Sequence, residues 1–189
     1  MKSRVQLPFH TFQVLFCESE SNYVGADFSA FLITDKKKLH CDDYIVFYNS
    51  KYRLSSDGMH LLQVESPMQL DDTSPCDPEI SIIGVEVLKE CGEYYCEGIK
   101  VNLDRVREEI QEIVFVASIY HQMMFFEEDI KVQIWHNGKL FYEEIYSEKY
   151  KKCNVLETIR IVRDKDEWFV ESIGEGSENG LESIVGKYF

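Results

Sequence analysis

The sequence predicts an all-β protein, an antiparallel β-sandwich of two sheets with one or two short helices. Three observations predict it. Runs of five to eight β-branched and aromatic residues recur along the chain, polar turns punctuate them, and helical periodicity is almost absent. The first such run is Thr11–Cys17 (TFQVLFC), followed by Ser29–Thr34 (SAFLIT), which the charged turn Asp35–Lys38 ends. Tyr44–Tyr48 (YIVFY) comes next and stops at Asn49-Ser50. Gly98–Leu103 (GIKVNL) alternates apolar and polar residues, as a half-buried strand does. Ile113–Tyr120 (IVFVASIY) is nearly all apolar and β-rich, which marks a central strand buried on both faces. Ile130–Trp135 and Lys139–Ile145 flank His136-Asn137-Gly138, and Asn-Gly between two alternating runs is the strongest short-range hairpin signal. Leu156–Arg163 and Glu167–Ile173 make a second hairpin about Asp164-Lys165-Asp166.

Helix signals are few. Leu103–Gln111 (LDRVREEIQ) has room for about two turns, with Asp104 well placed near its N-terminus. Leu181–Phe189 fits either a short closing helix or an edge strand. One stretch departs from the pattern: Gln63–Glu79 holds three of the four prolines together with Asp71, Asp72, Asp77 and Glu79. It reads as a long, exposed acidic loop, the kind that is usually functional or mobile. Residues 1–189 read as one domain, since 44% hydrophobic residues in 189 can fill a core and disorder is excluded.

With 20 basic and 34 acidic residues the formal net charge is −14. That balance argues against nucleic acid and anionic membranes, whose binding needs clustered Lys and Arg. Cations, basic protein surfaces and plain solubility remain. No apolar run approaches the ~18 residues of a spanning helix, so membrane insertion is not expected. Pro8, His10, Thr11 and Gln13 break the N-terminal stretch as a signal peptide, which makes the expected location cytoplasmic. In that reducing compartment the six cysteines at 17, 41, 76, 91, 96 and 153 default to free thiols. Cys91 and Cys96 are spaced too widely for a redox C-x-x-C. A zinc site would need two further ligands from His60, Cys76 or His40/Cys41.

No common catalytic motif is present: neither a G-x-S-x-G elbow, a P-loop, an H-E-x-x-H pair nor a G-x-G-x-x-G turn. Gly174-Glu175-Gly176 reads as turn geometry. A Cys–His pair could be assembled from Cys153 with His121 or His136, yet nothing in the sequence joins them. An enzyme is not expected. Trp135 and Trp168 read as packing residues, and Met123-Met124-Phe125-Phe126 as a core plug or helical turn after the central strand.

The acids carry more information, because they gather at strand ends. Asp27 begins DFSAF, Asp42-Asp43 open DDYIVFYN, Asp57 lies in SSDG, Asp71 and Asp72 lie in the long loop, and Glu93 and Glu97 bracket EYYCE. Ca2+ takes six to eight oxygens, which converging sandwich loops can supply. No D-x-[DN]-x-[DN]-G spacing occurs, so an EF-hand is excluded.

Several segments, in order, resemble the TerD-like tellurium-resistance, or stress-response, family. DFSAFLIT (27–34) resembles its D-x-S-A-F-L-L, DDYIVFYN (42–49) its D-x-D-F-V-F-Y-N, and SSDG (55–58) its S-x-D-G turn. EGIKVNL (97–103) with IVFVASIY (113–120) is similar to its E-x-I-x-V-x-L and I-V-F-V-x-x-I-Y blocks. The stretch from Leu156 to Leu181 matches its E-T…E-W…G-x-G-x-x-x-G-L ending. The resemblance implies a cytoplasmic two-sheet sandwich of a chemical-stress system, partnered by proteins of a stress-response complex and lacking catalytic activity. It also implies possible Ca2+ binding through Asp27, Asp42, Asp57 and Glu97, with Asp71, Asp72 and Glu93 as second choices. This chain departs from the pattern where Gly25, Tyr44 and the run Gly92–Glu97 replace expected carboxylates. The stretch 63–89 also looks longer than the family's equivalent loop. The ligand set is therefore expected to be partly lost, with Tyr44, Tyr94 and Tyr95 standing where acids would.

Overall fold

In the computed structural model, residues 4–19, 24–39, 45–46, 52–54, 61–63, 81–83, 94–120 and 125–189 are described, with 52–54, 61–63, 81–83, 94–97 and 105 as backbone alone. Among the described residues thirteen strands form, in chain order: β1 (Arg4–Gln6), β2 (Thr11–Ser19), β3 (Asp27–Thr34), β4 (Ile45–Val46), β5 (Tyr52–Leu54), β6 (Leu61–Gln63), β7 (Ser81–Ile83), β8 (Tyr94–Asn102), β9 (Ile110–Ser118), β10 (Ile130–His136), β11 (Lys139–Tyr146), β12 (Val155–Asp164) and β13 (Glu167–Ser177). A helix, α1 (Leu181–Tyr188), closes the chain. One sheet runs β1-β13-β12-β9-β3-β4 and the other β11-β10-β2-β8-β7-β5-β6. The pairing is antiparallel apart from β5 with β7. The two-sheet sandwich expected from the patterning is thus what the chain adopts.

Alternation along each strand sends every second side chain between the sheets. Phe16 of β2 stacks on Phe28 of β3 at 5.4 Å, and Phe28 stacks on Phe115 of β9 at 5.7 Å, so aromatic rings join the layers. Strand β9 lies between β12 and β3, and its residues 112–118 are buried throughout, as the apolar run at 113–120 predicts. On the outer face of that sheet α1 packs against the neighbouring strands: its Ile184 is buried, its Lys187 and Tyr188 bond Glu157 of β12, and Tyr188 meets Phe31 of β3 edge-on at 6.2 Å. The 181–189 segment is therefore a helix rather than an edge strand. Trp168 is buried, and Trp135 is half-buried with its indole N–H donated to Gln133 at 2.9 Å. Phe126 plugs the core while Phe125 is exposed; Met123 and Met124 lie outside the described residues.

The two hairpins form where the turn chemistry puts them. Asn137 and Gly138 have φ of 49° and 71°, the pair of positive values that a type I′ turn demands. Lys165 takes the corresponding position between β12 and β13 at φ 58°. Gly174 lies inside β13 rather than in a turn, with φ 60°, and its carbonyl accepts the Tyr150 hydroxyl at 2.9 Å. A side chain there would strike the Tyr150 oxygen, which explains the glycine.

Three expectations are corrected. Leu103–Gln111 does not form a two-turn helix: only Leu103–Arg105 coils, as one 3-10 turn, and β9 already begins at Ile110. The Asn102 side chain accepts the Asp104 N–H at 3.1 Å, and both Leu103 and Val106 go into the core. That crossing between sheets outweighs a weak helix propensity. Second, β8 starts at Tyr94, ahead of the Gly98 at which the alternation places the strand's beginning. Third, Cys17 is disulfide-bonded, not a free thiol, whereas Cys153 is free. The long acidic loop expected at 63–79 lies outside the described residues beyond Gln63.

Candidate functional site

Of the seven acids singled out in the sequence, Asp27 is described in full and Glu97 by its backbone; Asp42, Asp57, Asp71, Asp72 and Glu93 lie outside the described residues. Asp27 opens β3, opposite Ser118 of β9. It neighbours Phe28, which faces the core, so by strand alternation it belongs to the sheet's outer face. Burial pushes its carboxyl pKa above the ordinary 3.8. Glu97 belongs to the other sheet, opposite Phe16. Because Phe16 stacks on Phe28, Asp27 and Glu97 occupy the same level of the sandwich but different sheets.

A second acidic group at this end has no counterpart in the sequence reading. The last turn of β2 brings in Glu18, which is buried and accepts the Ala26 N–H at 3.0 Å, fixing the entry into β3. Glu18, Ser19, Val24, Phe126, Glu127, Glu128, Asp129 and Ile130 line a small depression where β10 begins, with room for about one water. Phe126 anchors this segment: its N–H donates to the Cys153 carbonyl at 3.0 Å and its ring reaches Phe16. The run Glu127-Glu128-Asp129 before an apolar strand was the available signal, whereas nothing in CESES marks Glu18 as buried. Asp27 does not line the depression. Among the described residues no three His, Cys, Asp or Glu side chains are grouped so as to hold a metal ion. A hard dication that wants six to eight oxygens therefore finds one matched carboxylate side chain, Asp27, in the described part of the chain.

The acids nearer α1, on the same outer face of that sheet, are arranged otherwise. The buried Glu157 carboxylate accepts Lys187 Nζ and the Tyr188 hydroxyl, each at 2.6 Å. Burial alone would lower the Lys187 pKa, but Glu157 and Glu175 hold it above its ordinary value. Burial and the neighbouring carboxylate together raise that of Tyr188. Buried Glu112 pairs with Lys37 and lies 3.4 Å from Arg160, which also binds Glu171 at 2.7 Å. These carboxylates are neutralised from within the fold.

Nucleophilic chemistry gains little from the geometry. Burial, with Glu178, pushes the Cys153 thiol pKa up, the opposite of an activated nucleophile. His136 stacks on Phe9 at 4.2 Å and bonds the Thr11 carbonyl at 2.6 Å. His121 lies outside the described residues.

A two-sheet sandwich with acids gathered at one end defines the class, and the sequence comparison then gives the family. The TerD domain model matches residues 5–188, so the chain belongs to the TerD domain family. Two solved structures share the fold. One is a homologue of telluride resistance protein (TerD), SCO6318 from Streptomyces coelicolor A3(2), with TM-score 0.57 and 11% identity over 94% of this chain and 96% of that one. The other is SAV2460, a protein of unknown function, with TM-score 0.55 and 14% identity over the same shares. No curated protein matches the sequence. No helix among the described residues is long and apolar enough to cross a membrane.

Proposed function

We propose that this TerD-family chain is a non-enzymatic binding or scaffold domain of a cytoplasmic chemical-stress system of the tellurium-resistance type, with its calcium-ligand set partly lost. One observation carries the reading. Gly25, Tyr44 and the run Gly92–Glu97 stand where the family pattern carries acids, so this chain offers a dication fewer carboxylates. The Cys153 thiol, held protonated, gives the non-enzymatic part its support. The partners are proteins of a stress-response complex.

A second reading, weak Ca2+ binding, draws on the burial-raised pKa of Asp27. A dication bound there would relieve the cost of that charge. Calorimetric titration of metal-stripped protein separates the two. The scaffold reading expects neither heat nor a rise in melting temperature up to millimolar Ca2+. Binding would instead stabilise the native state by about 2.7 kcal/mol at a hundredfold excess over Kd. That shift would overturn the first reading in favour of the second.

A further inference from the structure

Strand β11 ends its sheet: among the described residues β10 is its one strand partner. Three of the six large apolar side chains exposed among those residues lie on it, Leu140 at 46%, Phe141 at 37% and Ile145 at 49%. Phe141 is the extra residue of a bulge, because Tyr142 stands opposite Ile134 and Leu140 opposite Trp135. Its ring rests edge-on against Phe9 at 4.9 Å. From Tyr142 to Tyr146 the ladder is regular. Tyr146 is buried, so alternation places Glu143 and Ile145 on the outer face of the sheet. No proline interrupts the strand, and Lys139 at the turn is its single base. An edge of this kind offers every second N–H and C=O to a further strand. Its surroundings are acidic. Residues 127–146 carry Glu127, Glu128, Asp129, Glu143 and Glu144 against Lys131 and Lys139. The run 127–129 is exposed and precedes Ile130, which pairs with Tyr146 at the far end of β11.

We propose that β11 is a docking edge for an extended, basic segment of a partner protein, which joins the sheet as a further strand. This rests on the scaffold reading and names the surface and the chemistry of the partner. Backbone pairing gives the affinity, and alternate side chains give the choice. On the outer face an apolar residue of the incoming strand covers Ile145, and a Lys or Arg two positions along meets the exposed Glu143. Beyond the bulge a second apolar residue covers Leu140. Bases past the other end face the acids at 127–129. A second copy of this chain is the poorer occupant: it adds the same two strand acids to a surface already short of bases, between chains of net charge −14 each.

The probe is a blocked seven-residue peptide alternating lysine with isoleucine or valine, titrated into full-length protein in chelator; its twin carries glutamate for lysine. The lysine peptide should slow amide exchange at every second residue of 139–146 by about tenfold or more and leave 113–117 unchanged. Added salt should weaken it. E143K should weaken it about fivefold or more, while E182K, the same charge change placed on α1, stays within about twofold. I145S, expected to cost about threefold, is the second variant should E143K fold poorly. The proposal is overturned by protection away from 139–146, by equal binding of the glutamate twin, by E182K weakening binding as much as E143K, or by no binding at millimolar peptide. A concentration-dependent dimer that I145S dissolves overturns it in favour of a second copy. Protection at another edge ends this assignment and keeps the scaffold reading. Heat with Ca2+ ends the scaffold reading and leaves the result in chelator as it stands.

Discussion

Buried carboxylates occur in two settings. Glu157, beside α1, is met by Lys187 and Tyr188, and Glu112 by Lys37 and Arg160, all supplied by the chain. At the start of β3, Asp27 is half-buried, and desolvation alone accounts for its raised pKa. The first arrangement closes the fold; the second leaves a charge whose cost something outside the fold can relieve. The two settings thus differ in whether the described part of the fold supplies the counter-charge.

The largest test of that contrast is E157A. Removing the acceptor strands the Tyr188 hydroxyl and loosens α1 from β12, at a cost of about 2–4 kcal/mol in urea denaturation. A loss below about 1 kcal/mol would break the contrast. K187A should cost less, about 1 kcal/mol, because that ammonium is 44% exposed. Its raised folded pKa stabilises the protein fully at pH below the ordinary 10.5 and is lost as pH climbs through the folded value. Alkaline melting curves of K187A should accordingly be flatter than wild type. D27N should change least. The folded pKa lies above the ordinary 3.8, so the native state holds this proton more tightly. Its contribution is full at pH below the ordinary value and disappears as pH rises through the folded one. In chelator at neutral pH, D27N should match wild type or exceed it by no more than about 1 kcal/mol. Clear destabilisation there would show that Asp27 belongs with the structural acids.

Much of the fold was legible because its signals are local. Period-two runs, Asn137-Gly138 and the continuous apolar stretch at 113–118 each carry their own geometry. Leu103–Gln111 misled because local propensity competes there with a crossover that buries Leu103 and Val106 in the core. The site was less legible. Whether Glu18 is buried depends on Ala26 just before the next strand, and nothing local to Cys17 shows that it is oxidised. Composition pointed to free thiols, since compartment was the sole guide. The matched acids around Asp42, Asp57 and Glu93 were readable as motifs, but a motif fixes residue type and not convergence.

The sheet order carries one more consequence. Residues 4–6 are hydrogen-bonded to 169–171, almost the full length of the chain away. During synthesis the first strand has to wait until β13 has left the ribosome before its partner exists. Assembly of that layer is consequently a late, long-range event, slow by the usual dependence of folding speed on sequence separation, and an unclosed sheet border stays open to chaperones in the interval.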